Sequence, residues 1–304
     1  MTFSPVTDSY AIRPLWFAVI RLRLSLLCRV LQRMHPHRLP GVLVVSLTSY
    51  PPRFGTLALT LRSLLCQTVR PDHLILWIAP ADFALLPQGV RRLQARGLTI
   101  RLAEDIKSYK KIIPALDQFP DAFIVTADDD LFYWQSWLEE LVTGAEPSAP
   151  VVACHRAHEI MTDAQGRYLP YRQWIQDTPT RGKSAALFPT GMGGILYPPG
   201  VLSHKPEDRE ASLSFCPEGD DIWLYWIGRR NGAVYKTVGR HRAMDPWPGS
   251  QEQAALWHRN LLGEGNDRQI AKMGERYGYP SVIGLKEKDL GDIKGIDQAD
   301  SHSR

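Results

Sequence analysis

Four short apolar runs, separated by helical patterns, constrain what this chain can fold into more than any other feature. They are Val42-Leu43-Val44-Val45-Ser46-Leu47-Thr48 and residues 74–79, 98–102 and 122–127. Aliphatic, β-branched runs of this length read as strands, and mostly continuous ones as strands buried on both faces. Between them Leu57, Leu61, Leu64 and Leu65 recur at helical spacing. Residues 82–96 carry a second helical pattern, and residues 112–116 a third that Pro120 cuts short. This β-α-β-α-β-α-β alternation implies an α/β fold with a doubly wound, parallel sheet flanked by helices.

The fourth run leads straight into Asp128-Asp129-Asp130. In an extended chain alternate side chains share a face about 6.6 Å apart, so Asp128 and Asp130 would lean toward one point while Asp129 turns away. Clustered acids repel unless a cation or a hydrogen-bond network holds them. A hard divalent ion such as Mg²⁺ or Mn²⁺ is bound by one or two carboxylates together with substrate phosphate oxygens. In open α/β sheets, ligands sit outside the carboxyl ends of the strands. One aspartate would suffice to cap the next helix, expected over residues 133–142. Three point to a metal–phosphate site.

A second acidic stretch is Glu218-Gly219-Asp220-Asp221. Asp220 or Asp221 can N-cap a helix over residues 222–230, which frees the other. A carboxylate at a helix N-terminus stays ionised, as a general base must be. Upstream, Gly191-Met192-Gly193-Gly194 enters an apolar strand; by itself it reads first as a set of tight turns, and it also permits close approach of a ligand to the backbone. It lacks the spacing of a dinucleotide loop, and no Gly-x-x-x-x-Gly-Lys-Ser/Thr is present. A metal would then have to neutralise any phosphates. Residues 160–188 form a long stretch without period, and such stretches in compact domains are usually functional. Residues 234–238 read as a last strand.

The 304 residues suffice for one large domain, expected over residues 40–285, and a net charge of +4 argues against a nucleic-acid partner. Residues 1–39 form a basic amphipathic segment, and residues 286–304 a loosely ordered polar tail. Residues 14–34 read as a basic, largely apolar helix that Arg21 and Arg23 keep from spanning a bilayer. Such a helix suits the surface of an anionic membrane, or packs on the domain with its arginines solvated. The four cysteines are scattered with no Cys-x-x-Cys pair, so neither zinc nor a disulfide framework is expected, and reduced thiols in a cytoplasmic setting are. His155 and His158 read as ordinary polar residues near a strand end. Tyr171 and Trp134, Trp137, Trp174, Trp223 and Trp226 are candidates for stacking on sugars, although most read as core.

Two segments, Val44-Val45-Ser46-Leu47-Thr48-Ser49-Tyr50-Pro51-Pro52-Arg53 and Ser63-Leu64-Leu65-Cys66-Gln67-Thr68, resemble the opening of GT-A-fold glycosyltransferases, in particular bacterial family-2-like members. Asp128-Asp129-Asp130 matches their Asp-x-Asp motif, and Glu218-Gly219-Asp220-Asp221 resembles the acidic motif that supplies the base in inverting members. The likeness covers roughly residues 41–240. It implies metal-dependent transfer of one sugar from a nucleotide-diphosphate sugar to a hydroxyl of a glycan, glycolipid or protein, in surface glycan or glycolipid synthesis. Position by position, the resemblance implies that Asp128 and Asp130 bind Mn²⁺ or Mg²⁺ and, with Asp129, the donor. Thr48, Ser49, Tyr50 and Arg53 would line the nucleotide pocket, and Lys110 or Lys111 would contact the nucleotide or its phosphates. Gly193 and Gly194, with Gly191, would form the wall beneath donor sugar and acceptor. Asp220 or Asp221 would deprotonate the acceptor. A late histidine, His241 or more particularly His258, would complete the metal shell, and Asn266-Asp267 would close as a lid. Ala79-Pro80-Ala81 stands where relatives often carry an acidic pair, with Glu104 and Asp105 as candidate substitutes. The Gln-x-x-Arg-Trp motif of processive polymerases is missing, which favours single-sugar addition. A metal-dependent nucleotidyltransferase or phosphohydrolase, and a non-catalytic carbohydrate-binding protein of the same fold, are the alternatives.

Overall fold

The computed structural model describes residues 34–202, 206–244, 246–250 and 265–282. The basic helix over residues 14–34 (but for its last residue), His258 and the polar tail all lie outside the described residues. The apolar runs form β1 (Leu43–Thr48), β2 (His73–Ile78), β3 (Leu98–Leu102) and β4 (Phe123–Ala127). These pair in parallel in the order β3-β2-β1-β4. Four further strands follow: β5 (Val151–Cys154), β6 (Gly182–Lys183), β7 (Ile195–Tyr197) and β8 (Val234–Thr237). They extend the sheet to eight strands in the order β3-β2-β1-β4-β7-β5-β8-β6. β7 is antiparallel to both β4 and β5, and β6 is antiparallel on the edge, so the sheet is mixed but mostly parallel.

Alternation along the strands divides the core in two. Val44, Ile75 and Ile124 pack on one face with the buried sides of α2 (Ile113–Gln118), α5 (Asp220–Arg230) and α6 (Gly265–Tyr277). On this side α4 (Pro206–Phe215) adds Ala211, Leu213 and Phe215. Val45, Leu76 and Val125 pack on the other face, against Leu57, Leu61 and Leu64 of α1 (Phe54–Leu64) and Trp137, Leu138 and Leu141 of α3 (Trp137–Gly144). Among the described residues no helix is long and apolar enough to cross a membrane.

Three expectations need correction. The helix read over residues 82–96 is two 3-10 segments, Pro80–Leu85 and Arg92–Arg96, around one short α-helical turn, Gln88–Arg91. Pro87 breaks the pattern, because it lacks an N–H and disfavours helical geometry in the residue before it. The helix read from residue 133 begins at Trp137, since the Tyr133 N–H donates to Ser63 Oγ (3.2 Å) and Leu131 forms a bridge with Pro246. Cys154 and Cys216 are free thiols, but Cys66 is disulfide-bonded. A single disulfide leaves no motif in the sequence.

Gly193 and Gly194 sit at φ 102° and 94°, the left-handed region that favours glycine. A Cβ on Gly193 would meet Met244 Cε at 2.9 Å, and one on Gly194 would strike the Trp137 indole. These glycines serve packing and backbone geometry. We expect Gly194→Ala to destabilise by at least about 2 kcal/mol, combining backbone strain with overpacking. Gly200→Ala, at φ 77° with nothing within 4 Å of the added Cβ, should cost less. Urea denaturation of the two variants checks this, and equal losses would contradict it.

Candidate functional site

Strand register brings the first two groups of candidate residues together. Leu47 pairs with Ala127 across β1 and β4, so the residues that follow emerge side by side at the carboxyl edge. There Ser49 Oγ donates to Asp129 Oδ2 at 2.6 Å. Arg53, just before α1, donates to Asp130 Oδ2. Thr60 Oγ1 donates to Asp129 O at 2.9 Å and accepts from Trp247 Nε1 at 2.9 Å, which fixes the acidic loop from below. The Asp128 N–H donates to the Tyr133 hydroxyl at 2.7 Å. Because β4 ends at Ala127, the alternation expected for an extended chain does not carry through the acids. Asp128 and Asp130 are engaged by different cations, Lys111 and Arg53.

Lys111 ends the 3-10 segment Lys107–Lys111 that follows β3. Its Nζ lies 3.2 Å from Asp128 Oδ1 and 3.0 Å from Asp220 Oδ2. α5 starts at Asp220 with Gly219 at its N-cap, so neither aspartate is the cap, contrary to expectation. Gly219 supplies the non-helical backbone at φ −132° and ψ 68°. Both carboxylates thus occupy the first turn, where the helix dipole favours negative charge. Asp221 Oδ2 accepts the Gly191 N–H at 2.9 Å.

These residues line one cavity of about 850 Å³, within the size range of small-molecule sites. Thr48, Ser49, Tyr50, Arg53, Lys110, Lys111, Asp128, Asp129, Asp130, Asp220 and Asp221 all border it, as does Gly191. Gly193 and Gly194 are not part of its lining. Asp105, after β3, lines it and pairs with Lys110 at 2.5 Å. Asn266 also borders it, whereas Asp267 Oδ1 accepts the Tyr171 N–H at 2.7 Å. The five named tryptophans stand outside the lining, and four of them, Trp137, Trp174, Trp223 and Trp226, are buried. Arg156, His158, Tyr171, Gln176, Phe188 and Thr190 form a wall that no short motif announced. The signals for it were Tyr171, a candidate for stacking on sugars, and the long stretch over residues 160–188, which contributes Tyr171, Gln176 and Phe188. His155 Nε2 donates to Trp137 O at 2.9 Å, and His158 Nδ1 accepts the Asp177 N–H at 2.9 Å. Burial pushes the two imidazoles down to about 4 and about 3. His241 pairs with Asp177 at 3.3 Å, and the lining does not include it.

Charge is out of balance on the cavity floor. Among the described residues, the carboxylates of Asp128, Asp129, Asp130, Asp220 and Asp221 face two cations, Lys111 and Arg53. The other basic side chains turn elsewhere: Lys110 to Asp105, Arg156 to Asp177 at 3.6 Å, and Lys107 to Pro217 O at 3.3 Å. Burial, then the charge of Asp130, pushes the Asp129 carboxyl up to about 7. Burial, then Asp128, lifts Asp130 to about 6, and burial, then Asp220, lifts Asp221 to about 7. Burial alone would lower Lys111, but Asp128, Asp220 and Asp221 outweigh it and keep the ammonium charged. Asp220 Oδ2 and Asp221 Oδ1 are buried without an aligned hydrogen bond. Hard oxygen donors in excess of their counter-charge fit a divalent cation. Among the described residues no three His, Cys, Asp or Glu side chains converge as a cage.

No family model and no curated protein matches the sequence. Among solved structures, the chain is similar to a 4-diphosphocytidyl-2C-methyl-D-erythritol synthase from Anaerococcus prevotii, with TM-score 0.44, 12% identity and coverage of 74% of this chain and 96% of that one. It is also similar to residues 1–349 of S. aureus TarS, with TM-score 0.44, 14% identity and coverage of 82% and 77%. A third similarity is to an inositol-1-phosphate CTP transferase from T. maritima, with TM-score 0.39, 11% identity and coverage of 79% and 98%. Likenesses this distant decide nothing about activity.

A carboxyl whose pKa is higher in the folded than in the unfolded chain favours folding at low pH, and that contribution is lost as pH rises through the folded value. His155 and His158, lowered on folding, act in the opposite direction below their unfolded value. The informative quantity is therefore a difference between variants. With Asp221 raised from the ordinary carboxylate range to about 7, Asp221→Asn should gain stability relative to the parent protein as pH rises from about 4 to about 7, and level off above that. Urea midpoints measured across that range check it, and a constant difference would contradict it.

Proposed function

We propose that the protein is a glycosyltransferase that moves one sugar from a nucleotide-diphosphate sugar to an acceptor hydroxyl of a glycan, glycolipid or protein. One observation carries this reading: the acids of residues 128–130 and those of residues 220–221 border a single cavity and share Lys111. A diphosphate could not approach the surplus negative charge of that floor unaided. Asp128 and Asp130 would hold Mn²⁺ or Mg²⁺, whose charge would stabilise the diphosphate leaving group. Thr48, Ser49, Tyr50 and Arg53 border the cavity beside those acids, where the nucleotide would lie.

On the other side Asp221 acts as general base. Its partner Asp220 is held by Lys111, and burial together with the charge of Asp220 raises the Asp221 carboxyl, which makes it a stronger base than a solvated aspartate. The acceptor oxygen forms its bond to the anomeric carbon as the bond to the diphosphate breaks, and Asp221 takes the hydroxyl proton. Attack from the side opposite the leaving group inverts the anomeric centre. Tyr171, in the wall near Asp221 and backed by the buried Phe188, would present a ring edge to the acceptor.

The test is a product assay with nucleotide-sugars, candidate acceptors and Mn²⁺ or Mg²⁺. Expected is release of nucleoside diphosphate with sugar joined to the acceptor. Asp221→Asn should lower kcat by about 10² to 10⁴ while nucleotide-sugar binding persists, and Asp128→Asn should weaken that binding. Pyrophosphate released from a nucleoside triphosphate and a sugar phosphate would establish a nucleotidyltransferase instead. Nucleotide turnover without acceptor would establish a phosphohydrolase.

A further inference from the structure

Lys111 is built into the cavity floor rather than extended across it. The residue is 6% exposed. Its carbonyl accepts a hydrogen bond from Ser46 Oγ at 2.5 Å, and Ser46 Oγ accepts another from Trp77 Nε1 at 2.9 Å. The lysine backbone is thereby tied to the middle of β1 and β2. Its ammonium joins two acidic segments that are remote in sequence, at 3.2 Å from Asp128 Oδ1 and 3.0 Å from Asp220 Oδ2. A cation beside a helix N-terminus is disfavoured by the helix dipole. The carboxylates, not the helix, hold it there.

Gly191 closes the arrangement. A Cβ at that position would lie 2.9 Å from Lys111 Nζ and 3.0 Å from Asp221 Oδ1. With glycine there the N–H reaches Asp221 Oδ2 at 2.9 Å, and an added Cβ would crowd both side chains. Lys111 and Gly191 together fix both aspartates of α5, one through the ammonium and one through the main chain.

We propose that Lys111 is a positioning residue that bridges Asp128 on the donor side to Asp220 on the acceptor side, sets the spacing across the cavity, and does not itself bind nucleotide. What it positions rests on the transferase reading above; the bridge itself does not. Lys110, its neighbour, is committed to Asp105 and cannot take over.

A double-mutant cycle of Lys111→Met, Asp220→Asn and the pair tests the bridge through folding stability, with no assay of activity. Lys111→Met leaves buried acids without their counter-charge and should lower the folding constant by about 100-fold or more. Adding Asp220→Asn should restore about tenfold, because two residues in direct contact are not additive. Additive effects would overturn the proposal. If Lys111→Met alone fails to fold, the double variant should still fold, and failure of both would also overturn it. In transfer assays Lys111→Met should lower kcat by about 100-fold, with the donor KM within about threefold, as misplacement of a reacting group does. A donor KM that rises with kcat unchanged would make Lys111 a nucleotide contact and end the positioning claim. A parent protein that transfers no sugar would end the transferase reading alone, leaving the stability cycle to decide the bridge.

Discussion

Mutual repulsion among buried carboxylates is the constraint around which this molecule is arranged. Asp128, Asp129, Asp130, Asp220 and Asp221 border one cavity, and among the described residues Lys111 pairs with Asp128 and Asp220 while Arg53 pairs with Asp130. Charges in a partly buried setting repel far more strongly than in water. Burial first, and the neighbouring carboxylates second, push Asp129, Asp130 and Asp221 up to about 6 and about 7. Such a site stores an affinity for positive charge.

The scaffold holds that repulsion by rigid connections at each end. β1 and β4 run in register, so the residues after them reach the carboxyl edge together, and Ser49 and Arg53 can grip Asp129 and Asp130. Trp247 supports the same loop through Thr60 and through Leu131 O at 3.1 Å. On the far side, α5 is fixed by a buried face that includes Ile222, Trp223 and Trp226, which leaves Asp220 and Asp221 no freedom to retreat from one another. Preorganisation of this kind costs stability locally and is what a site needs if its groups are to be in place before a ligand arrives.

The strands could be read from the sequence because a strand buried on both faces has a distinctive composition, and β1, β2 and β4 have it. The two acidic stretches were equally plain, since burying consecutive carboxylates has few structural reasons. Their partners were not. Lys111 is 17 residues from Asp128, and Ser49 lies 80 residues from Asp129, separations that only the sheet register closes. The glycines of residues 191–194 looked alike in sequence, yet Gly191 faces Lys111 and Asp221 while Gly194 makes room for Trp137. The wall of Arg156, Tyr171 and Phe188 comes from segments without periodicity, where propensity carries no information. Pro87, by contrast, was visible and should have ended the helix read through it.

The measurement that bears most directly on the central claim is an anomalous-difference map from crystals grown with Mn²⁺ and a nucleoside diphosphate. A manganese peak beside Asp128 or Asp130, with the diphosphate next to it and Asp221 across the cavity, is the expected result. A nucleotide bound elsewhere, or bound in the cavity with no manganese at residues 128–130, would contradict it.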